Sequence, residues 1–174
     1  LVPFGEFFPV PQAVREWLRL MNLPYSDFEP GRADPAPLRA AGETFAPTIC
    51  YEDAYGSEQL GLARQSTLLV NVTNDAWFGD STAPHQHLDI SRMRALESGR
   101  AMLRATNDGV TALIGHDGAL LGTLPQFQPG VLTGEVQPRT GLTPYVRFGN
   151  WPILAVLWLG LAVIVVSSRR SIRR

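Results

Sequence analysis

Residues 148–168 form a run of 21 without a charge, and its centre, 151–166, is almost wholly Leu, Ile, Val, Ala and Trp. Wound as an α-helix, such a run is about 31 Å long, the thickness of a bilayer's hydrocarbon layer. Pro152 stands where a helix can begin, Trp151 and Tyr145 are placed as interfacial anchors, and Arg169, Arg170, Arg173 and Arg174 follow at once. A core helix of this length would ordinarily carry a polar stripe. The sequence therefore predicts a transmembrane helix over 151–168 and a basic cytoplasmic tail over 169–174. The run lies at the wrong end of the chain for a secretory signal.

The remainder is a different material. Residues 1–150 hold 11 Arg and all 16 acids, a net −5, whereas 151–174 hold 4 Arg and no acid, a net +4. The whole chain is at −1, which leaves no basic surplus for coating nucleic acid, and none is expected as a partner. All 15 basic residues are Arg. With no Lys, a mechanism that needs a lysine ammonium cannot be completed by these residues alone. The lone cysteine, Cys50, excludes an internal disulfide and reads as a core thiol, a metal ligand or a nucleophile. His85, His87 and His116 lack the paired spacing of a zinc motif, so no metal site is expected.

Strand and helix patterns alternate along 1–136. Val14, Trp17, Leu18 and Met21 mark a helix over 11–23, followed by a Pro/Gly/Asp-rich loop. A β-like run at 45–50 precedes helical sequence at 54–65, and 68–72 is a second apolar β-branched run. Residues 84–106 read as one long helix. Strands at 109–114 and 119–124 are joined by Gly115-His116-Asp117-Gly118, whose Asp-Gly pair suits a hairpin, and 130–136 offers one further strand. This order predicts an α/β sandwich with a mixed sheet, joined by a linker at 137–150 to the membrane helix.

Cys50 ends an apolar strand and is followed directly by Tyr51-Glu52-Asp53 and helix-compatible sequence. A sharp strand-to-helix turn lifts a side chain out of the sheet and sets backbone N–H groups beside it, which suits a nucleophilic thiol and an oxyanion. A buried structural cysteine fits the same position equally well. Glu52 and Asp53 read most simply as solvated acids at a helix start, and His85 and His87 as polar residues opening the next helix.

Residues 1–6 (Leu-Val-Pro-Phe-Gly-Glu), Cys50-Tyr51-Glu52, the run Asn71-Val72-Thr73-Asn74-Asp75-Ala76-Trp77-Phe78-Gly79-Asp80 and Met93-Arg94-Ala95-Leu96-Glu97 together resemble the nitrilase superfamily. The likeness is closest to its membrane-embedded branch, which N-acylates bacterial apolipoproteins, and it extends through the terminal apolar segment. It implies part of an α-β-β-α sandwich followed by one C-terminal transmembrane helix, with 1–136 as the C-terminal part of the catalytic domain. It also implies a site built from a Cys nucleophile, a Glu base, a Lys and a second Glu that supports the Lys. Cys50 matches the nucleophile and Glu6 the supporting Glu. Glu52 matches a Glu that follows the nucleophile in this branch, and the Tyr51 backbone N–H falls where an oxyanion donor is needed. The family's Lys and base would lie upstream of Leu1, so the chain reads as the C-terminal part of a longer protein.

The implied chemistry moves an acyl chain from a phospholipid, through a Cys50 thioester, to an apolipoprotein amine, with no cofactor. The expected location is a bacterial inner membrane, with the catalytic domain periplasmic. Trp77 and Phe78, between Asn74-Asp75 and Gly79-Asp80, are expected to bind substrate as a lipid-facing lid, with packing into the core as the alternative. A membrane-tethered amidase and a non-catalytic binding module on the same scaffold are the competing functional readings.

Overall fold

The computed structural model describes residues 10–20, 31 and 35–172. Glu6, the rest of its motif and the end of the helix expected over 11–23 lie outside the described residues. Helix α1 covers Gln12–Leu20. Six strands then form one mixed sheet in sequence order: β1 (Leu38–Ala40), β2 (Glu43–Ile49), β3 (Leu68–Asn74), β4 (Met102–Asn107), β5 (Ala112–Ile114) and β6 (Leu120–Thr123). The β2–β3 and β3–β4 pairs are parallel and the others antiparallel. The parallel pairs are linked by helices α2 (Gly56–Gln65) and α3 (Ala83–Ser98), as parallel neighbours require.

The strand register sorts the face beneath the helices into two rows. Ala46, Leu69, Met102 and Ile114 stand side by side as a wholly apolar row, and all four are buried. Two residues further along β2, β3 and β4 come Thr48, Asn71 and Arg104, with Ala112 beside them on β5; these are buried as well. Side chains repeat on one face with a period of two, so the core changes from apolar to charged as the parallel strands approach their carboxyl ends. The opposite face is more open, with Ile49 and Val72 exposed.

The single helix expected over 84–106 is in fact α3 followed by β4. Gly99, at φ +65°, takes the left-handed position that ends α3, and its N–H returns to the Ala95 and Leu96 carbonyls. Arg100 then donates to the carbonyls of Ser66, Ser98 and Gly141, which turns the chain into the sheet. The strand expected over 130–136 does not form either. That segment lies across the outer face of the sheet, with Gly134 against Leu113 and Leu132 against Gly122, where it has no strand edge to pair with.

Within 137–150 a short helix, α4 (Pro144–Phe148), is docked on the body. Thr143 caps it by accepting from the Val146 N–H and donating to the Glu97 carbonyl at 2.6 Å, and Arg64 Nε donates to the Val146 carbonyl at 3.0 Å. Helix α5 (Trp151–Ile172) follows, long and apolar enough over Trp151–Ser168 to cross a membrane and touching nothing that buries it.

Candidate active site

The carboxyl ends of β2, β3 and β4 lie side by side, the edge where open parallel sheets place their functional groups. Cys50 leaves β2 with φ +51°, a left-handed backbone rare for a residue with a Cβ, and opens a 3-10 turn, Cys50–Ala54. Two side chains hold this elbow from opposite directions. From outside, the Glu52 carboxylate folds back to accept the Ile49 N–H at 2.8 Å. From inside the sheet, Asn71 Nδ2 donates to the Cys50 carbonyl at 3.0 Å and to Thr48 Oγ1 at 2.9 Å. The thiol-bearing residue itself is half-buried.

Beneath the elbow lies a cluster that sequence reasoning did not assemble. Arg104, from β4, donates through NH1 to Asn71 Oδ1 at 2.6 Å and Ser91 Oγ at 2.8 Å, and through NH2 to Asp75 Oδ2 at 3.0 Å. His87, on the buried side of α3, places Nδ1 2.9 Å from Asp75 Oδ1 and Nε2 3.0 Å from Asp53 Oδ1. One helical turn on, Ser91 donates to the other Asp53 oxygen. Asp53, Asp75, Ser91 and Asn71 are all at most 1% exposed. Asp53 is therefore not a solvated acid and His87 not an exposed helix-start residue, whereas His85 is exposed. Both depart from the expectation for one reason: each is the partner of the other across the fold.

The cluster balances two basic side chains against two carboxyl groups, the arrangement that makes burying them tolerable. Burial works against a charged imidazole, but the hydrogen bonds to Asp53 and Asp75 outweigh it and raise His87 to about 9. Burial also pushes against the Asp75 carboxylate, yet His87 and Arg104 bring it below the ordinary range. Burial lowers Arg104, while Asp53, Asp75 and the thiolate form of Cys50 act to keep it charged. With both ring nitrogens engaged by carboxyl groups, His87 has none left to receive a thiol proton. It serves the cluster as a cation below about pH 9 and is not placed to act as a general base. The Tyr51 ring lies over it, 5.6 Å between centroids, and meets Tyr55 edge-on at 6.3 Å.

Gly109 approaches so closely that a Cβ there would lie 2.3 Å from Asp75 Oδ2, so the loop after β4 presses directly on the cluster. Trp77 and Phe78 lie in the 3-10 turn Ala76–Phe78 just after β3, Trp77 at 86% and Phe78 at 44% exposure. Among the described residues no group of three or more His, Cys, Asp or Glu side chains is placed to hold a metal ion.

A sequence model of the carbon-nitrogen hydrolase family matches residues 13–145. The chain is 52% identical over 173 residues to the apolipoprotein N-acyltransferase of Azotobacter vinelandii, aligning 98% of this chain with 34% of that one. With the apolipoprotein N-acyltransferase of Pseudomonas paraeruginosa the figures are 52% over 153 residues, 88% and 30%. The chain thus spans about a third of the length of these curated relatives. Among solved structures, a carbon-nitrogen hydrolase from Helicobacter pylori superposes with a TM-score of 0.51 at 15% identity, over 57% of this chain and 42% of that one, a likeness of fold.

The pH dependence of stability reports on the cluster. Because the folded-state pKa of His87 lies above its unfolded value near 6.5, its contribution is fully present below that value and is lost as pH rises through 9, a loss of about 3 kcal/mol. Denaturant midpoints measured from pH 6 to pH 10 should fall over that window in the parent. In His87→Gln the fall should vanish from a lower starting stability; a variant that kept the parent's slope would contradict the assignment.

Proposed function

Because the chain belongs to the carbon-nitrogen hydrolase family, we propose that Cys50 is the nucleophile of an acyl transfer from a phospholipid to the α-amino group of a diacylglyceryl-cysteine at the N-terminus of an apolipoprotein. The observation that carries this reading is the elbow: the chain's single thiol, held at φ +51° on the functional edge of the sheet and secured from both sides. The apolipoprotein acceptor and N-acyl transfer are in keeping with the names of relatives that are about half identical over most of this chain, and the phospholipid donor is what the family resemblance implies.

In the first step the Cys50 proton leaves to a general base, the sulfur pair forms an S–C bond at the ester carbonyl, and the carbonyl pair moves onto oxygen. Collapse breaks the ester C–O bond, and the departing lysophospholipid oxygen takes a proton. In the second step the acceptor amine forms an N–C bond at the thioester carbonyl, the C–S bond breaks with its pair returning to sulfur, and the surplus amine proton is lost. The Tyr51 N–H is an oxyanion donor in both steps. This chain has no Lys, so the ammonium called for by the family resemblance comes from outside these 174 residues, where the resemblance also puts the base. Glu6 supports that ammonium, and Glu52 keeps the elbow folded.

Hydrolysis of the thioester has to be suppressed, which favours an apolar, water-poor surround. Trp77 and Phe78 supply exposed aromatic surface on the same edge of the sheet as Cys50 and act as a lid or lipid contact. Helix α5 spans the inner membrane, with its trailing arginines in the cytoplasm and the α/β body in the periplasm.

In the whole gene product, Cys50→Ser should abolish acyl transfer to a lipopeptide, since a hydroxyl is far less acidic than a thiol in the same site; near-parental transfer would sink the assignment. A phosphatase that is active only outside the cytoplasm, fused after Arg174, should be silent, and strong activity would reverse the orientation.

A further inference from the structure

We infer that Asn71 is a positioning residue that sets the Cys50–Tyr51 peptide plane and so presents the Tyr51 N–H to the oxyanion, with Arg104 fixing which way the Asn71 amide faces. This deepens the reading of Cys50 as the nucleophile and rests on it.

Arg104 has only donors, so the Asn71 atom 2.6 Å from its NH1 must be the carbonyl oxygen. The Asn71 amide nitrogen is thereby turned the other way, onto the Cys50 carbonyl at 3.0 Å and Thr48 Oγ1 at 2.9 Å. The choice between the two amide orientations, ordinarily an ambiguity, is made by a guanidinium that Asp75, Ser91 and Asp53 hold in place.

The Cys50–Tyr51 bond is trans, since the described chain has no cis peptide bond. In a planar trans peptide the C=O and N–H point in opposite directions. Drawing the Cys50 carbonyl into the sheet toward Asn71 therefore sends the Tyr51 N–H outward, away from the buried cluster. Nothing intrinsic to Cys50 favours this plane, because its φ of +51° is a conformation that residues with a Cβ avoid. The order of command is Asp75, Ser91 and Asp53 on Arg104, Arg104 on Asn71, and Asn71 on the peptide that bears the donor.

A pair of reactions separates donor positioning from mere structural support. Alkylation of Cys50 by iodoacetamide is a displacement at saturated carbon and develops no oxyanion, whereas acylation by p-nitrophenyl butyrate passes through one. Both are measured on the whole gene product in detergent, for the parent, Asn71→Asp, Asn71→Ser, Thr48→Val and Cys50→Ala. Asn71→Asp keeps an oxygen for Arg104 and loses the donor to Cys50, Asn71→Ser loses the donor without adding charge, and Thr48→Val removes a neighbouring buried hydrogen bond while leaving the Cys50 bond intact.

The expected result is a loss of about 10²–10³-fold in acylation for the Asn71 variants, the cost of an oxyanion donor, with alkylation within about fivefold of the parent. Thr48→Val should leave both reactions within about fivefold. If acylation and alkylation fall together in both Asn71 variants, including through failure to fold, or if neither falls, Asn71 has no role in presenting the donor and the inference is overturned. Acylation that survives in Cys50→Ala instead overturns the nucleophile assignment, an outcome distinct from any behaviour of Asn71.

Discussion

A guanidinium removed from water dictates what surrounds it, and Arg104 is such a group. It occupies an inward position of β4 where the neighbouring inward residue of the same strand is Met102, and it is 2% exposed. An unpaired buried charge costs several kcal/mol, and removing one partner of a buried pair typically costs about 3–5 kcal/mol. The carboxyls of Asp53 and Asp75 answer that demand, and His87 then ties the two acids to each other. One residue comes from the turn after β2, one from the end of β3, one from α3 and one from β4. The parallel core of the fold is thus cross-linked at its functional edge by charge, while one row away it is held by apolar packing.

That division of labour places the contacts that set orientation around the Cys50 elbow. Apolar packing sets distances between elements, but a hydrogen-bonded ionic cluster sets orientations, because each bond fails when its donor turns away. The elbow carrying Cys50 is a strained backbone that survives only where its surroundings over-determine it. Glu52 outside and Asn71 inside supply that surplus. The aromatic turn bearing Trp77 is held more lightly, by the Asn74 side chain on the Ala76 N–H and by its own backbone bonds, and leaves the Trp77 ring exposed.

Much of this was legible in the sequence, and the failures have a common cause. The strand at Cys50, the turn after it, the next parallel strand, the hairpin and the apolar terminal helix all follow from periodicity and turn residues, and the family likeness from short motifs in order. The charged cluster was hidden because its members look like surface residues one at a time. Helix α3 buries Pro84, His87, Leu88, Ser91, Ala95 and Ser98. Its inward stripe is half polar, so an apolar period does not reveal which side is inside. A helical reading of 84–106 hides the one signal that Arg104 offers. On a strand it shares the inward face with Met102, two residues before it; on a helix it is an ordinary surface arginine. Gly99, which ends the helix in the left-handed conformation, is the sequence mark that a strand can follow and carry Arg104 inward.

If Cys50, fixed on this charged scaffold, carries the acyl group between donor and acceptor, the acyl-enzyme can be trapped by withholding the acceptor. The most direct measurement is mass spectrometry of the whole gene product after incubation with a phospholipid of defined acyl chain and no acceptor, followed by proteolysis and treatment of half the sample with hydroxylamine. One acyl adduct is expected, on the peptide containing Cys50, that hydroxylamine removes and that disappears on adding a diacylglyceryl-cysteine peptide. An adduct on another residue, or the absence of any hydroxylamine-labile adduct while transfer to the acceptor proceeds, would contradict it.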